Sequence, residues 1–415
     1  MAVKVLDLDL GRPIEAVWGL EPYDGLRLLA RRQGRPLGWA YIATAGRPMA
    51  SAEQIRDTLT AQLGWTLVRH TLTPPPPEDT PADPPPAVSV VVCTRDRADQ
   101  LERCLEAVLA LDHPCFEVVV VDNAPTSEAT AKLAARLPVR YVREDRPGLD
   151  WARNRGIAEA AHAIIAFTDD DARPDRGWIR TIAACFEDPR VSAVTGAVFA
   201  AELETRAQLL FELVYSGMVQ SMDPRTIRRD FLATRELLWA SAFGVGANMA
   251  FRRDALRALG GFDVALDVGT PSGGGGDIEM FHRLVAKGGT IVYEPAAIVW
   301  HTHRRSEAML RRQLRDNGRG FGSYLLTCAR NRTVSRPALL RFALTEWIGW
   351  WLLRRVVRPS RLGRRFVVVE LAGALASPVA YLRARGQARR IAAAPAARPA
   401  SVRELDVHPL KSPIP

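Results

Sequence analysis

Cysteine is scarce and dispersed. The five cysteines, Cys93, Cys104, Cys115, Cys185 and Cys328, are odd in number and form no C-x-x-C pair. That speaks against a disulfide-stapled scaffold and against a structural zinc knuckle. Long uninterrupted apolar runs are missing too. Segments 341–357 (RFALTEWIGWWLLRRVV) and 366–382 (FVVVELAGALASPVAYL) are broken by Glu346 and Glu370. Each falls short of the roughly 20 apolar residues that a bilayer crossing needs. The opening MAVKVLDLDLGRP lacks the basic-then-apolar layout of a signal peptide, so a cytoplasmic protein is expected. No nucleic-acid-reading motif is present, and no nucleic-acid partner is expected.

Acidic residues run short only at one end. Residues 301–415 hold 23 Lys and Arg against 6 Asp and Glu, while the preceding residues hold 33 against 40. The net charge of +10 therefore divides into a mildly acidic body and a strongly basic C-terminal region, which suggests an anionic partner surface. Trp347, Trp350 and Trp351 lie among apolar residues and arginines (Arg354, Arg355, Arg358, Arg361, Arg364, Arg365). That mixture fits helices lying in the plane of an anionic membrane, at its cytoplasmic face, better than a base-stacking platform.

What is present is the balance of a folded protein, 47% hydrophobic and 25% charged, over 415 residues that suggest two or three units. The run PPPPEDTPADPPP at 74–86 cannot continue a helix or a central strand and reads as a stiff linker. It sets off a small α/β module at 1–73. Residues 87–305 form a second unit, 306–385 a helical basic region, and 386–415, rich in Ala, Arg and Pro, a poorly ordered tail. In the second unit, apolar strand runs (88–92, 117–121, 139–142, 164–168) alternate with helical periodicity. This predicts an α/β sandwich around a mostly parallel sheet. Ligands of such sheets bind beyond the carboxyl ends of the strands. Thr94-Arg95-Asp96, Asp122-Asn123 and Asp169-Asp170-Asp171 fall there together.

The order of motifs VSVVVCTRDRADQLERCLEAVL, EVVVVDNAPT, RPGLDWARNRGIAEA, IIAFTDDDARPDRGWI, GANMAFRRDALRALGGFD and GGGGDIEMFHRLVAKGGTIVYEPAAIVWHTHRR resembles the family 2 glycosyltransferases over residues 88–305. The resemblance implies a GT-A type Rossmann-like fold and inverting transfer of a sugar from a nucleoside-diphosphate donor to a hydroxyl acceptor, which could be glycan, lipid or small molecule. A non-catalytic nucleotide-sugar-binding scaffold on the same fold is the alternative. A departing diphosphate calls for a divalent cation, and hard oxygen ligands suit Mn²⁺ or Mg²⁺. By similarity to the family's D-x-D motif, Asp169 lies near the nucleotide, with Asp170 beside it, and Asp171 ligates the metal. The same resemblance gives Asp122 to the nucleobase, flanked by Thr94 and Arg95, and Arg153 of GLDWARNRG to phosphate or nucleotide.

Asp277 is the expected general base, with Glu279 as second choice. The family's acidic pair appears here as Gly276-Asp277, so the first acid is missing. Asp277 at a helix start would equally serve as a cap. His301 or His303, after the last strand, is expected to complete the metal shell, with the choice open. Trp178, Asn248 and Asp263 match family positions near donor or acceptor, or serve packing and turns.

Overall fold

The computed structural model describes residues 2–72, 84–215, 217–357 and 363–393. Most of the expected linker and the end of the expected tail lie outside them. At the centre is a nine-stranded sheet. Its strands run in the spatial order Ala172–Pro174, Thr290–His301, Val191–Ala200, Met249–Arg252, Ile164–Asp169, Val88–Thr94, Phe116–Asn123 and Arg140–Glu144, with Arg225–Ile227 also on Thr290–His301. Six strands point one way; Met249–Arg252, Ala172–Pro174 and Arg225–Ile227 run against them. The architecture is α/β with a mostly parallel sheet, as expected.

The valine-rich strands are continuous apolar runs because both faces are covered. Val91, Cys93, Val119, Val121 and Phe167 pack into one layer, while Val90, Val92, Val118, Val120 and Ala166 pack into the other. Pairing is in register, so Thr94 lies beside Asp122 and Cys93 beside Asp169. The chemistry-bearing residues therefore end on one rim.

The N-terminal residues build a three-stranded sheet (Val3–Asp9, Gly25–Arg32, Arg35–Ala43), a short two-stranded ribbon and the helix Ala52–Leu72. This module packs on the outside of the central sheet. Leu29 and Trp39 meet Ala197, Phe199, Ile298 and Trp300, with Trp39 edge-on to Phe199 at 5.4 Å. Arg31 bridges Asp7 (2.7 Å) and Asp175 (2.8 Å).

The C-terminal region is helical: Glu307–Asn331, Arg336–Arg341, a wide π-helical stretch Phe342–Leu353, and Arg364–Ala393. The first and last cross closely through glycine. A Cβ at Gly318 would stand 2.1 Å from the Glu370 carbonyl oxygen. Two expectations are corrected here. Ala, Arg and Gln favour helix strongly, and the last helix runs to Ala393, into the stretch expected to be without order. It is also long and apolar enough to cross a membrane by length and composition. Glu370 does not break it, because that carboxylate is buried and accepts from the Tyr215 hydroxyl (2.8 Å) and the Trp351 indole (3.0 Å). Of its apolar window, 44% is buried inside the protein. Val368, Leu375, Val379 and Leu382 remain exposed along one face.

Candidate active site

Strand Ile164–Asp169 delivers the aspartates to the rim, and the following short strand pairs Ala172 with His301. Successive carboxylates alternate in direction. Asp169 and Asp171 turn toward His301, and one ligand atom from each of the three lies within 4.8 Å of the others. The Asp171 carboxylate is 3.2 Å from His301 Nε2, 3.5 Å from Arg304 and 3.7 Å from Arg97. Burial alone would raise its pKa; the His301 hydrogen bond and the charges of His301, Arg304 and Arg97 outweigh that and hold it down at about 2. Burial, then the Asp171 charge, push Asp169 up. His301 is pulled down by burial but further up by its bond to Asp171, for a net rise. Two partly buried carboxylates and a buried imidazole facing one point are a donor set that fits a hard or borderline divalent cation.

Asp170 turns the other way. It accepts from the Thr94 hydroxyl (2.8 Å) and from Arg97 (3.1 Å), and burial pushes it up to about 6. Thr94 and Asp170, both expected at the nucleotide, are thus each other's partners. Arg95 stands exposed on the rim. Asp122 is fully buried; one oxygen accepts from Tyr141 at 3.0 Å while the other has no protein partner. Burial raises its pKa, a cost that a donor ligand would relieve.

Arg153 is buried, donates to Asp150 at 3.0 Å and lies 4.0 Å from Asp169. It connects the aspartates to Asp277. Asp277 is the second residue of helix Gly276–Ala286 and holds two backbone N–H groups, Ile278 (2.9 Å) and Gly246 (2.9 Å). The cap position itself is Gly275, so Asp277 stands inside the first turn of the helix rather than at its cap. Gly246 is needed for close approach: a Cβ there would stand 2.7 Å from Arg153 and 3.0 Å from Asp277.

Five expected residues lie elsewhere. Glu279 is buried against Arg283 (2.8 Å), whose guanidinium also donates to Leu259 and Gly261 carbonyls. Residues two apart on a helix face nearly opposite ways, so Glu279 serves packing. His303 sits behind His301, with its Nε2 3.1 Å from Glu212. Trp178 donates to Asn248 at 2.8 Å, and Asn248 donates to the Ala197 and Ala297 carbonyls, tying two strands together. Asp263 faces Arg330 (3.5 Å) and the Ala265 N–H in a turn.

Sequence reasoning missed Asp150 and Asp267. Asp267 accepts from the Asp150 N–H at 3.0 Å, and burial raises both, Asp267 to about 7. Asp150 lies inside the GLDWARNRG motif, which was the available signal. A Cβ at Gly276 would stand 2.0 Å from an Asp150 carboxylate oxygen. The space of the absent acid is filled by Asp150.

Residues 89–260 match the family described as glycosyl transferase family 2. A pre-mycofactocin glycosyltransferase of Mycobacterium tuberculosis is 27% identical over 68% of this chain, which spans 56% of that relative's length. The glycosyltransferase AglE of Haloferax volcanii is 24% identical over 63% of this chain and 80% of its own. Among solved structures, a mannosyltransferase of Pyrobaculum calidifontis in complex with GDP-Man and Mn²⁺ is 21% identical, covering 80% of this chain and 82% of that one at a TM-score of 0.45. With the motifs in order along a mostly parallel sheet, residues 89–260 are similar to glycosyl transferase family 2.

Proposed function

We propose that this chain is an inverting, metal-dependent glycosyltransferase that moves a sugar from a nucleoside diphosphate to a hydroxyl acceptor. The observation that carries the reading is one rim on which Asp169, Asp171 and His301 converge, linked through Arg153 to Asp277. Asp169, Asp171 and His301 would hold Mn²⁺ or Mg²⁺, which when bound neutralises charge on the departing diphosphate. Asp122, with one unpartnered oxygen, receives a donor N–H of the nucleobase, and Arg95 lies beside it on the rim. Arg153 supports the phosphate side by charge. Asp277 takes the acceptor proton; the N–H groups on its oxygens fix its orientation.

The missing acid at Gly276 is the feature that supports the scaffold alternative. Asp150 presents a carboxylate at that place, which favours the enzyme. Calorimetric titration with UDP, GDP and dTDP, each with Mn²⁺ or chelator, tests the site. One diphosphate is expected to bind in a metal-dependent way. Absence of binding by all three would sink the donor assignment, and a bound donor that is neither transferred nor hydrolysed would restore the scaffold.

The acceptor side meets the C-terminal helices. A groove of about 420 Å³ runs between Pro271 of the glycine-rich loop, Arg315, Arg319, Arg383 and the small or apolar Ala376 and Val379. Guanidinium groups beside an exposed apolar stripe support peripheral contact with an anionic membrane. Flotation is expected with vesicles containing anionic phospholipid and not with neutral ones; equal recovery on both would remove this contact.

A further inference from the structure

The N-terminal module contributes one side chain that leads into the catalytic rim. Arg27, on strand Gly25–Arg32, is stacked 4.0 Å over Trp39 and donates to Glu212 at 2.9 Å. The other Glu212 oxygen is 3.1 Å from His303 Nε2. His303 Nδ1 is 3.2 Å from His301 Nδ1, and His301 Nε2 is 3.2 Å from Asp171. His303 also meets the Phe211 ring edge-on at 4.8 Å, which limits its rotation. Glu212 and His303 are both buried.

With a cation bound beside Asp171, proton bookkeeping along this chain has one consistent solution. A carboxylate paired to arginine only accepts, so His303 Nε2 carries the hydrogen of its bond to Glu212. A neutral His303 then has a bare Nδ1, and the hydrogen between the two Nδ1 atoms belongs to His301. That frees the His301 Nε2 lone pair for a cation shared with Asp171; with no cation, Nε2 keeps a proton and donates to Asp171 at 3.2 Å.

We propose that the N-terminal module is a positioning element of the metal site: Arg27 and Glu212, acting through His303, set the tautomer and ring orientation of His301 so that its Nε2 faces the cation. This rests on the reading of Asp169, Asp171 and His301 as metal ligands. None of the three positioning residues touches the metal or substrate. The module then explains its own docking: its fold holds Arg27 rigidly enough to fix a ring on another unit.

Mn²⁺ alone is the probe, its free fraction read by electron paramagnetic resonance with the full chain. Arg27→Met and Glu212→Gln are expected to weaken Mn²⁺ binding by about 10- to 100-fold, the usual cost of losing an outer partner of a ligating histidine. Arg27→Lys, which keeps the charge, should stay within about threefold of wild type, a smaller loss than either. Arg31→Met removes another of the module's ion pairs, that to Asp175, and serves as the docking control; it should leave Mn²⁺ affinity unchanged. Thermal melts establish that each variant is folded. Unchanged Mn²⁺ affinity in folded Arg27→Met and Glu212→Gln overturns the positioning role, as does equal loss in Arg31→Met. Wild-type protein that binds no Mn²⁺ overturns instead the ligand assignment beneath it.

Discussion

Asp277→Asn is expected to lower sugar-transfer turnover by about 10²–10⁴-fold, the usual contribution of a positioned general base, while leaving donor binding intact. Asparagine keeps the shape, so its amide oxygen still accepts the Gly246 or Ile278 N–H that orients the side chain. It cannot take a proton. The loss therefore falls on kcat, and the donor Kd, read by calorimetry, stays near wild type. Turnover within a few-fold of wild type would remove Asp277 from the role and leave it as the partner of the Gly246 and Ile278 N–H groups. Glu279→Gln separates the two candidates: Glu279 is paired to Arg283, so that variant should lose thermal stability and retain kcat per folded molecule.

Asp171→Ala is expected to abolish the Mn²⁺-dependent part of diphosphate binding. The Asp171 carboxylate faces His301, Arg304 and Arg97, and removing it leaves an imidazole and two guanidinium groups beside a single carboxylate, Asp169. A cation would then meet net positive surroundings. The drop should exceed the roughly 10- to 100-fold cost of losing an outer-layer partner. Weak metal-independent binding through Asp122 should persist. Asp170→Asn is the informative neighbour, because Asp170 faces Thr94 and Arg97 rather than the other two acids; its Mn²⁺ response should survive. Retention of a full Mn²⁺ effect in Asp171→Ala would show that the cation is held elsewhere.

Much of the catalytic sheet was legible because its strands are buried on both faces and read as unbroken valine runs, as at Val88–Thr94. The rim was legible from the polar residues at the ends of those runs. Choosing between neighbours was not. His301 and His303 would share a side on a continuing strand, but the strand ends at His301 and the chain turns His303 toward Glu212. Asp277 and Glu279 separate only once helix Gly276–Ala286 is known to begin before both. Trp178 and Asn248 match family positions, yet Trp178 holds the Asn248 amide, which donates to carbonyls of two strands. Arg27 and Glu212, 185 residues apart, form no local pattern. Glu370 read as an interruption because its partners Tyr215 and Trp351 come from other segments.

The buried Glu370 also sets how the protein can be shortened. Counting apolar residues, one would take helix Arg364–Ala393 for a detachable anchor and cut it away to gain solubility. The cut would strip Tyr215, Trp351 and Arg355 of their common carboxylate. It would also uncover the Gly318 face of helix Glu307–Asn331, whose Gly320 packs against the glycine loop leading to Asp277. A truncated chain would thus expose the surface that this helix now covers, and its loosened floor would lie beneath the glycine loop that leads to Asp277.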